Sequence, residues 1–132
     1  MSYYDETPSE EVLKQIQAHL DAENKATHYS VGIVDIRMDF PGRYCVVMED
    51  EKPAAVAAIA SHGELYKLYV CPENRGFGIA ENLVLKLIKE EADGLFVEMI
   101  PQSLNFWSKI IEKNNLKFEQ VYEQLKITLW LS

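Results

Sequence analysis

The sequence has 132 residues, of which 48 % are apolar and 26 % are charged, a balance typical of one globular domain. It has no run of about 18 apolar residues, so we expect no transmembrane helix. The acidic, polar start MSYYDETPSEE is also unlike a secretory signal. The two cysteines are too few for a disulfide framework, and they favour reduced thiols in the cytoplasm.

The formal net charge is −8 at pH 7. A surface with this excess of acid repels nucleic acid phosphates and anionic membranes, so we expect neither as a partner. The charge suits a cationic partner, such as an amine or a basic peptide. An acidic surface that only aids solubility explains the same charge equally well.

The first half of the chain predicts a helix followed by antiparallel strands. Thr7-Pro8-Ser9-Glu10 has the pattern of a capping box with Thr7 as the N-cap, and apolar residues at helical spacing continue to Glu23. Residues 24–27 are interpreted as a link. Runs with strand-type composition predict strands at 29–36 and 43–48. The small apolar run 53–60 fits a strand or a helix by periodicity, and its short length and flanking turns favour a strand, with a tight turn at 61–63.

The second half predicts a strand–helix–strand crossover, then a helix and a hairpin. These elements are expected at 64–70, 78–93, 95–100, 101–114, 117–122 and 125–131. Gly94 is interpreted as the residue that ends the first of these helices. A crossover of this kind is right-handed and joins parallel strands. The sequence thus predicts an α/β fold in a single domain, 1–132, whose mixed and mostly antiparallel sheet is flanked by helices.

The loop between strand 64–70 and the next helix, residues 73–78, has the composition of a phosphate-binding turn. Backbone N–H groups and the helix dipole favour an anion at a helix N-terminus, and glycines let the backbone approach it. Arg75 adds a cation. The loop lacks the third glycine of the dinucleotide fingerprint and the Gly-Lys-Ser/Thr of a P-loop. An ordinary glycine-capped strand–helix turn is the alternative.

This stretch resembles motif A of the GNAT N-acetyltransferases, Gln/Arg-x-x-Gly-x-Gly/Ala. Arg75, Gly78 and Ala80 occupy the named places, and residues 68–72 resemble the family's strand ending in Val-x-Pro. The order of elements from residue 64 onward resembles the family's C-terminal half. The resemblance implies a single-domain GNAT-like fold with a strand–loop–helix phosphate-binding unit.

The family usually begins with a strand, for which only Tyr3-Tyr4 is a candidate here. The resemblance also implies that strands 64–70 and 95–100 separate and leave a slot for acetyl-coenzyme A. The loop N–H groups would bind its pyrophosphate and the preceding strand its pantetheine arm. Asn105 is a further candidate contact, although a surface asparagine is the plainer interpretation. The implied cofactor-binding residues are Leu68, Val70, Arg75, Gly76, Phe77, Gly78, Ile79, Ala80 and Asn105.

Glu64 is the general base that the resemblance implies, because several family members carry a glutamate at this place in the strand. A solvated glutamate beside a hairpin is an equal alternative. The family often carries a tyrosine general acid on its last helix. Here Ile111 occupies that place, or Trp107 in a shifted register, and neither can donate a proton. The tyrosines that remain as unproven substitutes are Tyr66, Tyr69 and Tyr122.

Other candidate sites are weaker. Cys71 would need His62 as its base, and the two flank opposite ends of one predicted strand. His19 and His28 lack metal-ligand spacing, so we expect no metal cofactor. Trp107 is interpreted as a core residue rather than a platform for substrate.

Three functions remain open. The resemblance implies transfer of an acetyl group from acetyl-coenzyme A to a primary amine, carried by a polyamine-like molecule or by a peptide or protein. The missing tyrosine allows a non-catalytic module that binds acyl-coenzyme A or a protein partner. The third possible function is that of a domain that binds no coenzyme A and mimics an acidic surface. The sequence indicates neither the acceptor nor the oligomeric state.

Overall fold

The computed structural model describes residues 1–120 and 125–131, which form seven strands and three α-helices. In chain order these are β1 (Ser2–Asp5), α1 (Glu10–Thr27), β2 (Gly42–Glu49), β3 (Lys52–Ala60), β4 (Glu64–Val70), α2 (Ile79–Glu90), β5 (Leu95–Glu98), α3 (Leu104–Lys113), β6 (Lys117–Gln120) and β7 (Lys126–Trp130). All strands lie in one sheet, in the order β1-β2-β3-β4-β5-β7-β6. Only β4 and β5 pair in parallel, which confirms the predicted mixed α/β sheet.

The predicted strands at 43–48, 53–60 and 64–70 are confirmed to within a residue at each end. The candidate strand at Tyr3-Tyr4 is also confirmed, since β1 pairs with β2 at the edge of the sheet. The predicted strand at 117–122 is confirmed as far as Gln120, and its last two positions lie outside the described residues.

The start and end of α1 differ from the prediction. Ser9, not Thr7, is the N-cap, and its hydroxyl accepts a hydrogen bond from the Val12 N–H at 3.2 Å. The helix continues to Thr27, so the predicted link at 24–27 is wrong. His28 ends the helix because it adopts a left-handed conformation and donates its N–H to the Asn24 carbonyl.

The predicted strand at 29–36 is wrong, because this segment is a loop packed on α1. Tyr29 and Gly32 have positive φ angles of 64° and 86°, which an extended strand does not allow. The side chain of Gln17 bonds the Val34 carbonyl and the Ile36 N–H at 2.8 and 3.0 Å. Ile36 is fully buried, so its apolar character reflects packing against α1 rather than strand pairing.

The apolar core lies on both faces of the sheet. One face is covered by α2 and α3 through Leu83, Leu87 and Ile110, and the other by α1 through Ile16 and Leu20. Burial of these alternating strand and helix faces is the main stabilising contribution. None of the helices within 1–120 and 125–131 is long and apolar enough to cross a membrane.

The prediction that Gly94 ends α2 is wrong, because the helix stops at Glu90 with Glu91 as its C-cap. Gly94 instead lies in the turn before β5 with a φ of 92°. A Cβ at this position would lie 2.5 Å from Thr128 Cγ2 and 2.8 Å from the Trp130 ring. The glycine is therefore required by the close approach of β7.

We expect Gly94→Ala to lower the free energy of unfolding by about 3 kcal/mol, because the new methyl group clashes with β7 and the backbone is left-handed. Urea unfolding measures this change. The matched control is Gly76→Ala, which has a similar φ of 87° but open space around the added Cβ. The control is expected to cost about 1 kcal/mol, and equal losses in the two variants would contradict the role of the close contact.

Candidate functional site

A cleft opens where β4 and β5 separate. Their parallel pairing covers only Glu64 with Phe96 and Leu65 with Val97, after which β4 continues to Val70 without β5 beside it. The cleft has a volume of about 880 Å³. Its walls come from β4, the loop after β4, the start of α2, α3 and residues 31–33 of the loop that follows α1.

The backbone of β4 presents polar groups to this cleft. The Cys71 N–H bonds the Ala54 carbonyl on β3 at 2.8 Å, so it points away from the cleft. Because backbone groups alternate in direction along a strand, those of Val70 and Leu68 point towards the open edge. Both residues line the cleft, as expected from the sequence.

The loop between β4 and α2 leaves a row of N–H groups free of protein partners. Gly76 and Gly78 have φ angles of 87° and 77°, and a Cβ on either would meet no atom within 4 Å. Within the described residues, the N–H groups of 76–81 have no hydrogen-bond acceptor. Unpaired N–H groups at a helix N-terminus form an anion site, so the loop fits a pyrophosphate. The Arg75 N–H, in contrast, already donates to the Pro72 carbonyl.

The Arg75 side chain is paired with α1. Its guanidinium donates to both carboxylate oxygens of Glu23 at 2.7 Å, and its Nε donates to the Val70 carbonyl at 3.0 Å. The Tyr69 hydroxyl also donates to Glu23, at 2.8 Å. Hydrogen bonding from Arg75 lowers the pKa of the Glu23 carboxyl, and burial together with the Glu23 carboxylate raises the pKa of Tyr69. No sequence pattern pointed to Glu23, because it lies far from Arg75 along the chain.

Glu64 lies at the first residue of β4, outside the wall of the cleft. It lines a separate recess of about 230 Å³, together with His62, Phe96 and Lys126. His62 Nε2 lies 3.0 Å from a Glu64 carboxylate oxygen, and the Glu64 side chain is 26 % exposed. Val97 and Glu98 line both the cleft and the recess, so the two spaces share a wall at the point where β4 and β5 meet.

No side chain in the predicted general-acid positions can donate a proton. Trp107 lines the cleft as a buried residue, and Ile111 packs against the core. Tyr66 and Tyr69 line the cleft, but the Tyr69 hydroxyl is bonded to Glu23. Tyr122 lies outside the described residues.

The part of the cleft wall that α3 contributes does not include the residue predicted from the sequence. Asn105 is exposed and does not line the cleft. Lys109 of α3 lines it instead, together with Gln102 and Ser103 from the short turn that precedes α3. Successive side chains of a helix point in different directions, so the positions that face the cleft depend on how α3 packs on the sheet.

Neither the cysteines nor the histidines form a second site. Cys71 is fully buried, its Sγ donates to the Pro53 carbonyl, and His62 lies at the opposite end of β4. Among the residues that the structure describes, no three His, Cys, Asp or Glu side chains converge as metal ligands would.

Comparison with known proteins assigns the chain to a family. The profile of the Acetyltransferase (GNAT) family matches residues 6–123, most of the sequence. The chain belongs to the GNAT family. This confirms the resemblance seen in motif A and the fold that it implied. A comparison with curated protein sequences gives no match.

Three solved structures share this fold at low sequence identity. An N-acetyltransferase from Staphylococcus aureus Mu50 is 18 % identical with a TM-score of 0.65, over 98 % of this chain and 95 % of that one. The Bacillus subtilis N-acetyltransferase YlbP in complex with coenzyme A is 15 % identical with a TM-score of 0.61, over 100 % and 97 %. The N-acetylglutamate synthase of Neisseria gonorrhoeae, complexed with coenzyme A and N-acetyl-glutamate, is 12 % identical with a TM-score of 0.62, over 100 % and 35 %.

We expect both thiols to be unreactive in the folded protein. Burial raises the pKa of Cys45 and of Cys71 to about 11, so only roughly one thiol in a thousand is a thiolate at pH 8. Ellman's reagent should react slowly with the native protein, and with both thiols at once in urea. Rapid reaction of one native thiol at pH 8 would contradict the burial.

Proposed function

We propose that this GNAT protein transfers an acetyl group from acetyl-coenzyme A to a primary amine. The observation that carries the proposal is the row of unpaired N–H groups at 76–81, which opens onto the cleft between β4 and β5. An anion-binding helix start beside an unpaired strand edge suits a ligand that has both a pyrophosphate and an amide-containing arm. Coenzyme A has both.

Named residues give the cofactor its proposed contacts. The N–H groups of Gly76, Phe77, Gly78, Ile79 and Ala80 would bind the pyrophosphate, with that of Glu81 added to the set expected from sequence. The backbone of Leu68 and Val70 would bind the pantetheine arm. YlbP and the N. gonorrhoeae synthase, which share the fold, are both coenzyme A complexes, and this supports the assignment.

The reaction that we propose needs a proton acceptor and a group that stabilises an oxyanion. Acetyl-coenzyme A supplies the acetyl group as a thioester, so a nitrogen–carbon bond forms and the carbon–sulfur bond breaks. Coenzyme A leaves as its thiolate, which takes a proton from solvent. The Leu68 N–H, which points to the open edge of β4 and lies nearer to Glu64 than that of Val70, would stabilise negative charge on the carbonyl oxygen. Glu64, directly or through a water molecule, would accept the amine proton from the side of the recess. The reaction requires no metal.

The proposed acceptor is an amine whose positive charge suits the acidic surface, with a formal net charge of −8. The N. gonorrhoeae synthase carries an N-acetylated amino acid, so amino-acid amines belong in the set of candidate acceptors beside polyamines and peptides. The two unpaired thiols fit the cytoplasmic location that we expect.

A non-catalytic module that binds acyl-coenzyme A is the second candidate. It is favoured by the hydrogen bond from the Tyr69 hydroxyl to Glu23, because that hydroxyl is engaged away from any leaving thiolate. The two functions share the cofactor site and differ only in turnover.

Acetyl-coenzyme A is expected to raise the melting temperature of the protein, because a ligand that binds only the folded state stabilises it. Ala80→Glu should weaken this binding roughly tenfold, since it places a carboxylate beside the pyrophosphate. Ala80→Gln is the control of equal size and no charge. Thermal shift and isothermal titration calorimetry measure both variants, and no binding by the unmodified chain would exclude both candidate functions.

Glu64→Gln is expected to reduce release of free coenzyme A thiol roughly a hundredfold, because it removes the proposed general base. Its affinity for acetyl-coenzyme A should not change. The assay follows thiol release with polyamines, amino acids and peptide amines as acceptors. Glu98→Gln, in the same recess, is the control, and a larger loss in that variant would transfer the role to Glu98. Cofactor binding without release for any acceptor favours the non-catalytic module.

A further inference from the structure

One carboxylate from α1 is bound to the phosphate-binding loop. Glu23 accepts two hydrogen bonds from the Arg75 guanidinium and a third from Tyr69, all between 2.7 and 2.8 Å. Its side chain is only 15 % exposed. The Arg75 side chain is 45 % exposed, so solvent screens the charges in part, but the two parallel N–H···O bonds of a bidentate pair fix the geometry of both side chains.

The same guanidinium is also tied to β4. Its Nε donates to the Val70 carbonyl at 3.0 Å. Arg75 therefore joins three elements, namely the loop that carries it, the end of β4 and the last third of α1. The next residues along the chain are Gly76, Phe77 and Gly78, whose N–H groups have no acceptor within the described part of the chain, and the two glycines line the cleft.

We propose that Glu23 is a positioning residue for the coenzyme A loop, and that Arg75 fixes the loop backbone instead of binding phosphate itself. Tyr69 has the same positioning role through its hydroxyl. The inference rests on the proposed function, since it concerns how that site holds its cofactor.

The physical reason is the flexibility of the loop. Two glycines in three residues leave its backbone many conformations, and each must be given up when the N–H groups converge on a ligand. A side chain fixed immediately before the first glycine removes part of that cost before the ligand arrives. The pairing with Arg75 also offsets the negative charge of Glu23, which would otherwise repel a pyrophosphate nearby.

The alternative is that the Arg75 guanidinium is a direct phosphate ligand, as its place in the motif suggests. The two roles predict opposite effects when Glu23 loses its charge. If Glu23 positions the loop, Glu23→Gln weakens coenzyme A binding. If Arg75 binds phosphate, the same change frees the guanidinium and leaves binding equal or tighter.

The first experiment measures the dissociation constant for coenzyme A by isothermal titration calorimetry. We expect Glu23→Gln to raise it roughly tenfold, within the usual range of coupling between linked sites. The matched control is Glu10→Gln, at the other end of α1, which removes an ion pair with Arg37 far from the loop and should bind as the unmodified chain does. Equal or tighter binding by Glu23→Gln overturns the inference.

Arg75→Lys gives a second test that does not depend on how well the Glu23 variant folds. It keeps the positive charge but cannot form the bidentate pair. We expect it to weaken binding at least as much as Glu23→Gln does, because it also removes the Nε bond to the Val70 carbonyl. The double variant should bind no more weakly than Arg75→Lys alone, because the pair between Glu23 and Arg75 is already lost in that variant. Unchanged affinity in Arg75→Lys, or additive losses in the double variant, contradicts the positioning role.

A third measurement needs no coenzyme A. Backbone ¹⁵N relaxation in the free protein reports the order parameters of Gly76 and Gly78. We expect lower values in Glu23→Gln and a smaller decrease in Tyr69→Phe, with no change in Glu10→Gln. Unchanged values in Glu23→Gln overturn the inference. If the unmodified chain binds no coenzyme A, the proposed function fails, and the order parameters still decide whether Glu23 fixes the loop.

Discussion

The early end of the β4–β5 ladder is the constraint on which the rest of this site depends. After two residue pairs the strands separate, although β4 continues to Val70. An unpaired strand edge in a sheet interior leaves backbone donors and acceptors without partners, which is costly unless something else satisfies them. Arg75 satisfies one of these groups, the Val70 carbonyl, from within the chain. The remaining edge is available to a ligand with an extended, amide-containing arm.

The helix α1 connects the two sides of the cleft. Through Gln17 and Asn24 it holds the loop that contributes residues 31–33 to one wall, and through Glu23 it holds the phosphate-binding loop. A helix is a rigid support for such contacts because its own backbone groups are satisfied internally. The position of α1 on the sheet, set by the burial of Ile16 and Leu20, therefore determines the shape of the cleft at both ends.

Charge is distributed unevenly between the surface and the site. The chain carries a formal net charge of −8, yet the start of α2 presents unpaired N–H groups and the favourable end of a helix dipole. The carboxylate closest to the loop in the first turn of α2, Glu81, is paired with Lys113 and Asn114. Glu23 is likewise paired with Arg75. Because both carboxylates are paired, their negative charges do little to cancel the positive potential at the loop N–H groups, although the protein is acidic overall.

The strand–loop–helix unit, the crossover to β5 and the family could be recognised from the amino-acid sequence, because they depend on local patterns within 64–100: a β-rich run, a proline, closely spaced glycines and an apolar helix face. Which groups face the cleft depends instead on how these elements pack together. Residues 29–36 have the composition of a strand, but hydrogen bonds from Gln17 and Asn24 of α1 hold the segment as a loop. The partner of Arg75 is decided in the same way. Glu23 meets it only because α1 packs on the face of the sheet over β3 and beside Tyr69 of β4, a contact between distant residues that no local pattern encodes.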